Sequence, residues 1–289
     1  MMNTRAFLLS CTMALTSAAY AQSWISSTGV DSNPCTRTLP CATLQQAVNV
    51  TASGGKVSVV DPADYRGVTI TKAITIDGGG SASSFLAGIV VQAPAGQIVQ
   101  LRNLSIDGNN AASSNGISFV SGGQLVIDHV KVTGFDSCVS VALTGSGYTD
   151  LVIKDSSINN CSAYGIDIAS GGPSLTAEIT NTTVTSSEWG LLATAGRLSI
   201  SGSTFSSPNI EIGQVGIQIS GADAMIDNCQ ITRFTYGLYV STSAQLNRST
   251  LSYNGTGAVQ QGTGIINSLG NNSFYTNGTN GTVTRVSFQ

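Results

Sequence analysis

Short runs in which apolar residues alternate with polar ones fill this chain, and the runs return at nearly fixed intervals. Leu125-Val126-Ile127-Asp128-His129-Val130-Lys131-Val132 is echoed by Leu151-Val152-Ile153-Lys154-Asp155-Ser156-Ser157-Ile158 and by Thr176-Ala177-Glu178-Ile179-Thr180-Asn181-Thr182-Thr183-Val184. The closing apolar residues Val132, Ile158 and Val184 stand 26 positions apart. Alternation with period two predicts strands that bury one face. Recurrence at a fixed spacing of about 20–50 residues marks stacked repeats.

The series extends in both directions. One apolar anchor can be marked per coil: Ile76, Ile106, Val132, Ile158, Val184, Phe205, Ile231, Leu251 and Phe274. Three residues before the anchors from Ile106 onward stand Asn103, His129, Asp155, Asn181, Gly202, Asn228, Arg248 and Asn271. Stacked Asn side chains at such a register are expected to bond to one another along the stacking axis. A glycine then precedes a further alternating strand in most coils, at Gly116, Gly165, Gly190, Gly216, Gly237 and Gly257. Three strands and three bends per coil describe a parallel β-helix. About nine to ten coils at about 4.8 Å each make a rod roughly 45 Å long.

The pattern changes near the start. Between Pro40 and Val50, Leu44, Ala47 and Val48 share one face at helical spacing without an intervening glycine. A solenoid exposes its interior at each end, so this predicts a short capping helix. Ser23 to Thr38 reads as irregular. The chain therefore divides into an expected signal peptide (1–21), a lead-in loop with the capping helix (22–56) and the all-β solenoid (57–289). The signal is read from Arg5, the apolar run Phe7 to Leu15, and Ala19-Tyr20-Ala21 before Gln22. Leu8-Leu9-Ser10-Cys11 offers anchoring at Cys11 as the alternative to simple cleavage. Either way the expected location is secreted: extracellular, periplasmic or at the cell surface.

Composition narrows the partners. Charged residues are 9% of the chain and the net charge is −3. Basic residues are scattered, which argues against nucleic acid and anionic lipid, and no later stretch is long and apolar enough to span a membrane. Cys35 and Cys41, six apart in a Pro-containing loop, are expected to bridge in an oxidising compartment. Cys138 and Cys161 fall at different points of the repeat, which argues against a bridge. Cys229 is expected to pack inward. Neither the cysteine spacing nor the single histidine, His129, suggests a zinc site, and no metal is expected from the residues.

Pro40-Cys41-Ala42-Thr43-Leu44-Gln45-Gln46-Ala47-Val48, Asp61-Pro62-Ala63-Asp64-Tyr65 and Ile74-Thr75-Ile76-Asp77-Gly78 resemble the opening of secreted proteins with the pectin lyase fold. The resemblance covers about Cys35 to the C-terminus and implies a right-handed parallel β-helix. It also implies a substrate groove along the glycine-led strands, and it allows calcium as a cofactor where the residues themselves call for none.

On that layer, alternation turns Ser118, Ser140, Asp167, Leu192, Gln218, Tyr239 and Val259 outward. Tyr164, Trp189 and Tyr236 each stand directly before a register glycine, and Arg233 is almost the only nearby cation. Aromatics beside carboxylates and amides suit sugar rings, so Tyr164, Trp189, Gln218, Arg233, Tyr236 and Tyr239 are the candidate substrate-binding residues. The same aromatics also read as a stack that closes one bend. Asp167, Glu188 and Glu211 are the candidate catalytic carboxylates, since glycoside cleavage uses two such groups about 5–10 Å apart. The clustered aspartates and Gly-His-Gly segment of polygalacturonases do not occur here. The reading is an exported β-helix that binds a polysaccharide along an elongated groove, with cleavage as a lyase or glycoside hydrolase left open. Its alternative is a non-catalytic structural or adhesive rod. Self-association is allowed through the polar C-terminal end, where no capping helix is evident.

Overall fold

A computed structural model describes residues 20–79, 88–145, 147–169, 174–185, 188–208 and 211–286, without the side chains of residues 20 and 110–113. The expected signal peptide up to residue 19, with Cys11, and the turn at Gly80-Ser81 lie outside the described residues. The rest is a parallel β-solenoid with three faces. The first face is a twelve-stranded sheet running from Tyr20–Ile25 and Thr51–Val59 to Ile265–Ser268 and Thr284–Arg285. The second face holds three-residue strands such as Ser157–Asn159 and Thr183–Thr185, and the third holds five-residue strands such as Tyr164–Ile168 and Trp189–Ala193. Ser105–Ser121 and Lys131–Val141 run around the bend from second face to third.

Eight successive coils, from Ile98–Arg102 to Thr279–Gly281, carry strands on all three faces. Among the described residues, two earlier coils contribute to the first and third faces only, through Thr51–Val59 with Val68–Ile70 and Ile74–Asp77 with Ile89–Gln92.

The interior explains the sequence pattern. On the first face Val57, Ile76, Leu101, Ile127, Ile153, Ile179, Ile200, Ile226 and Leu246 pair coil to coil in one inward column. On the second face the anchors Ile106, Val132, Ile158, Val184, Phe205, Ile231, Leu251 and Phe274 form another. Ile76 therefore belongs to the first column rather than to the anchor series, since it pairs with Val57 and Leu101. The register glycines face inward against the anchors. A Cβ on Gly216 would lie 2.6 Å from the Gly237 carbonyl oxygen and 2.6 Å from Ile231 Cγ2, closer than atoms can approach.

The expected Asn ladder takes a different form. Asn103, His129, Asp155, Asn181, Asn228 and Arg248 all have φ between 46° and 54°, in the left-handed region, where they turn the chain from first face to second. Asn, Asp and Gly suit that conformation; these side chains are exposed, and one coil-to-coil bond of the expected kind joins them, from Asn181 Nδ2 to Asp155 Oδ1 at 3.2 Å. The buried ladder sits one position later. Ser156 accepts from the Val130 amide at 3.1 Å, Ser203 from Thr182 at 3.1 Å and Ser249 from Cys229 at 3.0 Å. Each of these hydroxyls donates back to a carbonyl two residues upstream in its own coil. An amide ladder does exist at the bend before the third face, where Asn277 Oδ1 accepts from the Asn254 amide at 2.9 Å and its side chain at 3.1 Å.

The N-terminal end is closed by the helix Leu44–Val50, which buries Leu44, Ala47 and Val48 and is capped by Thr43. Ahead of it, Tyr20–Ile25 is a strand on the first face, not the irregular chain expected from Ser23. Cys35 and Cys41 are bridged, with Cα atoms 4.7 Å apart. Cys138 and Cys161 are bridged as well, at 5.7 Å, against the expectation from spacing. Both are buried, on two successive coils, at the bend from second face to third. Positions offset along a straight strand diverge, but inward side chains at a corner converge.

Candidate functional site

The third face presents two outward columns. Ser118, Ser140, Asp167, Leu192, Gln218, Tyr239 and Val259 pair in unbroken register, as alternation predicts. Beside them run Ser137, Tyr164, Trp189, Val215, Tyr236 and Thr256, of which Ser137 and Val215 are buried. Neighbouring members stand about 4.8 Å apart, so Asp167 and Tyr239 are separated by three coils, roughly 14 Å.

The aromatics interlock. The rings of Tyr164 and Trp189 stack with centroids 5.1 Å apart and planes 26° from parallel. That separation is close to one coil, so the rings face along the rod. The Trp189 indole N–H donates to Gln218 Oε1 at 2.9 Å, and Gln218 Nε2 donates to Ser220 Oγ at 2.9 Å. Tyr236 and Tyr239 meet edge to face at 5.9 Å.

Asp167 is half-buried between Ser140 and Leu192. Its Oδ1 is buried and has no hydrogen-bond partner among the described residues. Burial pushes its pKa above the ordinary carboxylate value. Burial also raises the Tyr164 hydroxyl, and the charges of Asp167, Glu188 and Asp136 add to the effect. Three carboxylates thus act on one aromatic.

Glu188 lies in the preceding bend, beside Ala163, whose carbonyl accepts from the Trp189 amide. Four strand positions, about 13 Å of backbone, separate that level from Asp167. The pair is staggered rather than face to face. Glu211 is exposed in the loop before Val215, where its carbonyl accepts from Thr235 Oγ1. Arg233 is exposed on the bend, with φ of 65°. The fold gathers Tyr164, Asp167, Glu188, Trp189, Gln218, Tyr236 and Tyr239 on or beside one surface and leaves Glu211 and Arg233 at its margin. Asp136, one coil before Ala163, completes the acidic group.

Among the described residues, one group of three places ligand atoms within 4.8 Å: Asp128, His129 and Asp155. Asp128 is buried and accepts from Arg102 at 3.0 and 3.2 Å, from Lys154 at 3.2 Å, and is joined to His129 Nδ1 at 2.6 Å. Burial opposes its charge, but these partners hold its pKa below the ordinary value. Calcium takes six to eight oxygens, and a carboxylate already held by two cations does not fit it.

The right-handed β-helix region, as a protein family, matches residues 49–205, more than half of the chain. The chain belongs to the right-handed β-helix family. Among solved structures this β-helix is similar to pectate lyase Pel9A, at 14% identity and a TM-score of 0.51, over 92% of this chain and 77% of that one. A GH136 lacto-N-biosidase from Eubacterium ramulus aligns at 10% identity and a TM-score of 0.36, over 92% of this β-helix and 67% of the enzyme. No curated protein matches it. The likeness to the pectate lyase establishes the shared pectin lyase-like fold.

Proposed function

We propose that this is an exported β-helix that binds a polysaccharide along the third face. The observation that carries the reading is the in-register surface of Tyr164, Trp189, Gln218, Tyr236 and Tyr239 around a carboxylate, Asp167, whose Oδ1 has no partner among the described residues. Aromatic edges and faces with amide and carboxylate groups suit a polyhydroxylated ring. The two disulfides suit an oxidising compartment. Among the described residues no helix is long and apolar enough to cross a membrane.

The pectate lyase that shares the fold is named for an anionic substrate. Here Asp136, Asp167 and Glu188 surround the aromatics and the nearby cation, Arg233, stands at the margin, so a neutral glycan is the better match. If the glycan is cleaved, Asp167 is the group to carry a proton, because burial raises its pKa above that of an ordinary carboxylate. Glu188 and Glu211 would then be its distant partners.

The mutual stacking of Tyr164 and Trp189 along the rod favours a second reading, a structural or adhesive rod without an active site. The purified protein is to be screened against neutral and acidic polysaccharides, following retention and the release of reducing or unsaturated ends. Binding of a neutral glycan that Trp189→Ala and Asp167→Asn weaken tenfold supports the proposal. Retention of none of them would leave the rod.

A further inference from the structure

A second recess lies away from the third face, where each coil turns from third face to first. The connections there shorten along the chain. Six residues join Val141 to Tyr148 and five join Ile168 to Ser174, but three join Ala193 to Arg197 and three join Ile219 to Asp223. At this edge, residues from four successive coils, Tyr148, Thr176, Arg197 and Asp223 among them, line a cleft of about 430 Å³.

Its floor is built from small residues and Leu175. The column that begins with Tyr148 continues through Ser174, one coil later, and the short connections then bring Ala195 and Gly221 to the floor. Tyr148 is 88% exposed and forms the end wall. Alongside runs the paired column Thr176, Arg197 and Asp223. Arg197 and Asp223 are register partners, yet neither forms an ion pair among the described residues. Both exposed charges line the cleft.

These strands are interior members of the first-face sheet, so their backbone groups are already paired and cannot receive an added peptide strand. Recognition must pass through side chains. An aromatic wall, the hydroxyls of Ser174 and Thr176, one fan of N–H donors and one carboxylate acceptor, with charges of both signs cancelling, match an uncharged ligand rich in hydroxyls. From Tyr148 to Asp223 the cleft spans three coil spacings, about 14 Å, the length of a few sugar units.

We infer that this recess is a separate binding site for a neutral oligosaccharide, with its terminal ring against Tyr148 and its hydroxyls bonded by Thr176, Arg197 and Asp223. The site does not depend on the third face, and the two can be tested apart. The full ¹⁵N-labelled chain is titrated with neutral hexasaccharides of β-1,4-glucan, β-1,4-mannan and β-1,4-xylan. At least one should shift the amide signals of Gly196, Arg197 and Gly221, with an affinity that Tyr148→Ala and Arg197→Ala each reduce tenfold or more. Tyr148 is so exposed that its loss leaves the fold intact. Shifts at Gly196 and Gly221 alone would support the recess and count against the third-face reading. Shifts confined to Gly165, Gly190 and Gly216 would overturn the recess and leave the third face standing. No shift at the recess with any of the three sugars, or shifts indifferent to Tyr148→Ala, would also overturn it.

Discussion

Trp189 of one coil is held by Gln218 of the next, through a 2.9 Å hydrogen bond from the indole N–H to the side-chain carbonyl. The bond fixes the ring that stacks on Tyr164 and joins the two outward columns of the third face. Gln218→Leu leaves the half-buried donor without its acceptor, a loss of about 1–2 kcal/mol. Denaturant unfolding should show that loss, and Gln218→Glu, which keeps an acceptor, should recover much of it. Equal stability of the leucine variant and wild type would mean that the bond contributes nothing.

Asp167 behaves in the opposite sense to a paired carboxylate. Its folded pKa is raised by burial, so the fold favours the protonated form. The unfolded chain gives up the proton first, and stability therefore falls as pH rises through the ordinary carboxylate range toward the folded pKa. Asp167→Asn removes that cost. The variant should melt above wild type at pH 7, and the gap should close near pH 3. A variant that melts lower at pH 7 would contradict the assignment.

The corner bridge offers a quantitative contrast. Cys138 and Cys161 are 23 residues apart, Cys35 and Cys41 only 6. Loop-closure entropy gives about 3.5 kcal/mol for the longer link and about 2.4 kcal/mol for the shorter. Paired replacement by serine should therefore destabilise more at 138/161, measured by chemical denaturation of each double variant. The reverse order would show that the lead-in loop depends on its bridge for more than entropy.

Cys229 holds a ladder position that serine or threonine fills in neighbouring coils, and its thiol donates to the Asp227 carbonyl at 3.3 Å. Burial pushes its pKa up to about 11, so little thiolate exists at pH 8. The native protein should resist a disulfide reagent at that pH and react only as it unfolds. Cys229→Ser should stay within about 1 kcal/mol of wild type, since Ser203 and Ser249 already show that a hydroxyl fits.

The anchors and register glycines were legible because inward positions tolerate few residue types, and a stack repeats the demand in every coil. Ile76 was misplaced because an inward isoleucine looks alike on any face. Asn at a fixed register is compatible with an amide stack and with a left-handed turn, and the sequence does not carry φ. His129 and Arg248 in that register were the hint, since neither belongs in a buried amide ladder. The Cys138–Cys161 bridge was hidden because linear spacing does not locate corners. On the third face the columns followed from alternation alone. Whether Asp167 meets Glu188 depends on their offset along the strand, and the recess at Tyr148 draws its lining from four coils, which come together only once the coils are aligned.

The hydroxyl ladder has a direction. The amide of Val130 waits for Ser156, that of Thr182 for Ser203 and that of Cys229 for Ser249, always in the following coil. Each of these three amides is satisfied only once the following coil is in place, so a break in the stack after any of them would leave a buried N–H unpaired.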